Sequence, residues 1–146
     1  MSKILVAIDG SESSLRAYEY ACFLAKQCDA ALLIVNIFDA FERISSKIKQ
    51  ELGEVAKQIE AEGGTGITLQ ILDDYKSQAK DSGIKDVKRI RREGNAAAEI
   101  LQIADEEKVD TIVIGSTGIN TVKEFRVGGV SHKIVHHAKC PVTVVR

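Results

Sequence analysis

Two stretches of this chain, Ile4–Ile8 and Ala31–Ile37, are apolar on consecutive residues instead of alternate ones, with Asn36 the lone exception. A strand with one wet face alternates, whereas a strand apolar throughout has to be covered on both faces. Between them, Leu15, Tyr18, Cys22 and Ala25, with Ala21 beside them, recur at helical spacing and predict a helix with one apolar face. Strand, helix, strand in this order is the unit of a right-handed parallel crossover.

The pattern continues along the chain. Ile44, Ile48, Leu52, Val55 and Ile59 predict a helix from Phe41 to about Ala61, broken by Gly63-Gly64-Thr65-Gly66. A second helical stretch runs from about Ile67 to Asp81. Val87–Arg91 reads as a weaker strand among basic residues, the composition of a sheet edge. Glu93-Gly94-Asn95 reads as a turn, Ala96–Glu107 as a helix, Val109–Ile114 as a strand, Val130–His137 as a helix and Val142–Val145 as a last strand. The fold class is therefore α/β: an open, doubly wound, five-stranded parallel sheet in the order 3-2-1-4-5 with helices on both faces. A length of 146 residues suits one domain spanning 1–146.

Composition removes several classes of function. The net charge is -1, with no basic excess for nucleic acid. Trp is absent and aromatics make up 5%, which disfavours a base-stacking platform. Cys22, Cys28 and Cys140 form no CxxC pair, so they read as unreactive thiols in a reducing compartment. The first apolar run meets Asp9 and Gly10 too early for a signal peptide or membrane span, and a cytoplasmic protein is expected.

In such a sheet, ligands sit outside the carboxyl ends of the strands at the switch point of strand order. Here those ends are Asp9-Gly10-Ser11 after the first strand and Gly115-Ser116-Thr117-Gly118 after the fourth, the latter followed nine residues on by Gly128-Gly129-Val130-Ser131. The spacing has the logic of phosphate binding. Gly115 and Gly118 admit backbone angles closed to other residues. Gly128 and Gly129 open a helix whose first N–H groups have no internal partner and favour an anion. Gly-Lys-Ser/Thr and GxGxxG are both missing, so this is neither a P-loop nor a dinucleotide fingerprint. The SGGxDS loop of ATP pyrophosphatases does not match either. Asp9, Ser11 and Ser13 double as helix caps. Lys123 and Arg126 between the glycine pairs read equally well as phosphate contacts or as ordinary solvated charge, and Glu124 as a proton acceptor or as a metal ligand through water, with no geometry fixed by the sequence. His132 and His136 have the i,i+4 spacing of a metal pair, but no third ligand is evident and a solvated face is the favoured reading.

These motifs resemble the ATP-binding branch of the universal stress protein family. The likeness rests on Ile4–Ser11, on Arg92-Glu93-Gly94-Asn95-Ala96, and on the glycine spacing continued through Val130–Val142. It spans nearly the whole chain, with Phe41–Gly66 the indistinct part. The resemblance implies an ATP laid across the ends of the first and fourth strands, with or without Mg. Asp9 would meet the ribose or adenine side, with Ala7 and Ile8 nearby, and Ile37 would border the adenine. Gly115, Thr117, Gly118, Gly128, Gly129, Val130 and Ser131 would surround ribose and phosphates. It also implies a homodimer through Val142–Val145, while any other protein partner stays unspecified.

One residue departs from the family pattern: Gly129 stands where Ser or Thr is usual. The backbone N–H is kept and a hydroxyl donor is lost. A hydrogen bond to a charged group contributes roughly 1.5–3 kcal/mol, about tenfold or more in affinity. Ser131 is the neighbour placed to compensate. Three readings stay open: a nucleotide-binding regulatory protein, a slow ATPase or autophosphorylating enzyme using hydroxyls such as Ser116, Thr117, Thr121 or Ser131, and a nucleotide-free interaction module. A cyclic nucleotide is a narrower variant of the first.

Overall fold

The computed structural model describes residues 1–38, 67–117 and 129–146. The helix expected over Phe41–Ala61, the glycine cluster Gly63–Gly66, and Gly118 and Gly128 lie outside the described residues. The described elements run β1 (Lys3–Ala7), α1 (Glu12–Cys28), β2 (Ala31–Phe38), α2 (Leu69–Asp81), β3 (Val87–Glu93), α3 (Ala96–Glu106), β4 (Thr111–Gly115), α4 (Gly129–His137) and β5 (Val142–Val145).

All five strands pair in parallel in the order β3-β2-β1-β4-β5. Alternate residues of one strand feed opposite layers, which is why the strands are apolar throughout. Ile4, Val6, Leu32, Ile34 and Val113 pack toward α1 and α2. Leu5, Leu33, Val35, Ile112 and Ile114 pack toward α3 and α4, against Ala97, Ile100, Ile103 and Ile134. Each such fully buried aliphatic side chain contributes roughly 1.5–3 kcal/mol relative to exposure.

The edges differ as expected. β3 carries Lys88, Arg89, Arg91, Arg92 and Glu93, and these charges are anchored: Arg89 Nε donates to Asp73 of α2 at 2.6 Å, and Arg92 pairs with Glu99 and Glu106 of α3. Arg91 lies 4.0 Å over the Phe38 ring. β5, the opposite edge, has no charged residue.

The α1 stripe is corrected by the structure. Leu15 is exposed, and the buried face is Ser13, Ser14, Ala17, Tyr18, Ala21 and Ala25. Small residues line this face because α1 lies close over β1 and β4. Ser13 is not a cap either; Ser11 alone takes that position, its side chain accepting from the Ser14 N–H. Cys28 is exposed, while burial raises the thiol pKa of Cys22 and Cys140.

Candidate functional site

The turn from β1 into α1 is built from its own side chains. Asp9 Oδ1 accepts from the Ser11 N–H at 2.9 Å, closing an Asx turn. Gly10 sits at φ 88, which glycine adopts at little cost. The start of α1 is then tied to the segment after β4. Ser13 Oγ donates to the Thr117 carbonyl at 2.6 Å and accepts from the Thr117 N–H at 3.3 Å. Ser11 Oγ donates to the same carbonyl at 3.2 Å.

This contact explains Gly115 differently from its sequence reading. Gly115 is not in the left-handed region. A Cβ there would lie 2.5 Å from Ser13 Oγ, 2.7 Å from the Ser13 carbonyl carbon and 2.8 Å from the Ser14 nitrogen. The residue is glycine because a helix backbone passes over it, and not because of its backbone angles. On its other side, Gly115 O accepts from Ser131 Oγ at 2.5 Å, joining β4 to α4. Ser131 is buried and its hydroxyl points inward to this bond. It is therefore not free to replace a donor lost at Gly129, as the sequence had suggested. At Gly129 itself an added Cβ would meet nothing within 4 Å among the described residues.

These contacts leave a cleft of about 220 Å³ at the carboxyl ends of the central strands. Ala7, Ile8 and Asp9 reach it from β1, and Ile37 from β2. Gly115 and Thr117 reach it from β4, and Gly129, Val130 and Ser131 from the first turn of α4. All the candidate residues that fall in described segments thus meet at one place. Ser14, Ala96, Ile100 and Ile114 also line it and were not singled out from sequence. Ala96 and Ile100 had a signal: Asn95 caps α3, its side chain accepting from the Ala98 N–H, so the helix opens directly onto the cleft. Asn36, the polar exception in β2, is buried and donates from Nδ2 to the Ile8 carbonyl at 2.8 Å, bracing the end of β1.

The lining is an apolar wall (Ile8, Ile37, Ile100, Ile114) facing the N-terminus of α4. That terminus presents N–H groups without helical partners and the positive end of the helix dipole. Such a site can hold a molecule with a flat apolar part and an anionic part. Among the described residues no group of three His, Cys, Asp or Glu is arranged for a metal ion. No described helix is long and apolar enough to cross a membrane.

Residues 1–146 match the model of the universal stress protein family. The chain belongs to that family. Among universal stress proteins, YxiE of Bacillus subtilis is 36% identical over 152 aligned residues, which cover 99% of each chain. A universal stress protein solved in complex with cAMP has a TM-score of 0.71 at 27% identity, covering 99% of this chain and 97% of that one. UspA from Lactobacillus plantarum has a TM-score of 0.77 at 23% identity, covering 99% and 97%, a likeness of fold. The sheet order of this universal stress protein is the one expected from its strand pattern.

Proposed function

We propose that this universal stress protein binds an adenine nucleotide in the cleft between β1, β4 and α4, and that the bound nucleotide acts as a regulatory signal. The observation that carries the reading is the meeting of Asp9, Ile37, Thr117 and the Gly129–Ser131 turn around one cavity. Ile37, with Ile8 and Ile100, borders the adenine. Asp9 serves the ribose, and the amides of Gly129, Val130 and Ser131 face the phosphates, joined by Gly118 and Gly128 of the same motif. The 220 Å³ cavity lies below the roughly 300–1,000 Å³ of larger ligand sites. It suits base and ribose, with the phosphates toward α4. The relative crystallised with cAMP supports an adenine nucleotide as the ligand class. ATP is the leading ligand; any Mg would arrive on its phosphates.

Turnover is slow in this reading. Phosphoryl transfer needs a metal clamp and an aligned nucleophile. The hydroxyls of Ser13, Thr117 and Ser131 are instead engaged with one another or with backbone carbonyls. The protein also pairs with a second copy through the uncharged β5 edge.

The test is a thermal melt with and without MgATP, repeated with ADP, AMP and cAMP. Binding raises the melting temperature as ligand exceeds its dissociation constant. No shift with any of the four at millimolar concentration overturns the reading. A phosphate-release rate in the range of ordinary kinases would make the protein an enzyme instead.

A further inference from the structure

We propose that His132 and His136 form a two-imidazole site for a divalent transition-metal ion on the outer face of α4. Ser131 and Ile134 turn into the core, while His132 and His136 are exposed. They stand one helical turn apart, where side chains are neighbours. Their ring centroids are 6.3 Å apart and the planes are 10° from parallel. Neither imidazole has a hydrogen-bond partner among the described residues, so a nitrogen lone pair on each neutral ring is available to a metal.

The helix supplies the spacing in advance. An ion bonded to both rings at about 2.0–2.1 Å requires donor nitrogens no farther apart than about 4 Å. Rotation of two solvent-exposed rings about their side-chain bonds achieves this without moving the backbone. The remaining coordination positions belong to water. Imidazole donors suit zinc, copper and nickel, whereas magnesium and calcium prefer oxygen. His137 is not the third ligand. Its ring centroid is 4.9 Å from that of His136, but adjacent residues of a helix do not face each other, and it lines a separate cavity beside Leu101, Ala104 and Cys140. A dipole role accounts for His136 and His137 in the last turn of α4. It does not account for His132, which is in the middle of the helix.

The experiment titrates ZnCl2, and separately CuCl2, into chelator-stripped full-length protein by calorimetry. Five proteins are compared: the natural chain, H132A, H136A, H137A and the double variant H132A/H136A. All three positions are exposed, where substitution is well tolerated, and circular dichroism checks that each variant is folded. The expected result is saturable binding of one ion per chain, weakened at least tenfold in H132A and in H136A and unchanged in H137A. The inference is overturned if neither ion binds saturably. It is equally overturned if the double variant H132A/H136A binds as the natural chain does, which would place the ion elsewhere on the protein. Both outcomes are independent of nucleotide binding.

Discussion

Ser13 Oγ donates a 2.6 Å hydrogen bond to the Thr117 carbonyl, across 104 residues of sequence. This bond joins the first turn of α1 to the segment that carries the fourth strand into the cleft. Ser13 is 1% exposed, and Ser13→Ala takes a partner from both the N–H and the carbonyl of half-buried Thr117, leaving only Ser11 Oγ on the carbonyl. The expected loss is about 1–3 kcal/mol, read as a lower urea midpoint. Nucleotide affinity should fall as well, because Thr117 lines the site. An unchanged midpoint would show that Ser11 alone holds the segment.

Gly115→Ala should be more damaging. Two of the three close contacts of the added Cβ are to the backbone of α1, which cannot rotate aside as a side chain can. Overpacking of this kind typically costs about 1–3 kcal/mol or more, and the thermal midpoint measures it.

Gly129→Ser is expected to behave in the opposite way. The new side chain enters open space, so stability should change by less than about 0.5 kcal/mol. The added hydroxyl restores a donor beside the α4 amides, and ATP affinity should rise about tenfold. Calorimetric titration checks this. A gain in stability without a gain in affinity would place the phosphates elsewhere.

The two sheet edges differ in what they tolerate. Ile112 N–H donates to the Pro141 carbonyl, and Ser116 N–H to that of Val145. In a parallel ladder, alternate residues of β5 therefore face β4, and Val142 and Val144 turn their backbone groups outward. Val144→Pro removes an outward donor and leaves the β4 ladder paired. If two copies join at this edge, light scattering should report a monomer for the variant and a dimer for the natural chain. Retention of the dimer would point to another surface.

Acid should destabilise the protein in part through Asp110. Its carboxylate accepts from the Ser2 and Lys3 N–H groups at 2.7 and 2.9 Å and from the Ser2 hydroxyl at 2.9 Å, which holds its pKa below the ordinary carboxylate value. Glu107, bonded to Lys88 and Lys3, and Glu106, bonded to Arg92, are lowered too. A group whose pKa falls on folding adds stability that is full above its unfolded value, about 4, and is lost as pH drops through the folded value. Urea midpoints should thus decline below about pH 4, and less steeply in Asp110→Asn. Equal slopes would assign the acid sensitivity to other carboxyls.

Hydrophobic pattern alone determined the sheet and most of its helices, because a strand buried on both faces must be apolar at every position and leaves a local trace in composition. Ile4–Ile8 and Ala31–Ile37 could hardly be anything else. Gly115 in β4, and Asp9 after β1, likewise marked the strand ends where the cleft opens. What sequence could not decide was the reason for each small or polar residue. Gly115 looked like a tight turn needing glycine's backbone angles and is a gap for a helix; Ser131 looked like a ligand donor and its hydroxyl is bonded to the Gly115 carbonyl; Leu15 looked buried and is exposed. Each depends on which atoms of α1, β4 and α4 approach one another, and such distances between residues on different elements, 16 positions apart for Ser131 and Gly115 and 104 for Ser13 and Thr117, are set only when the layers pack.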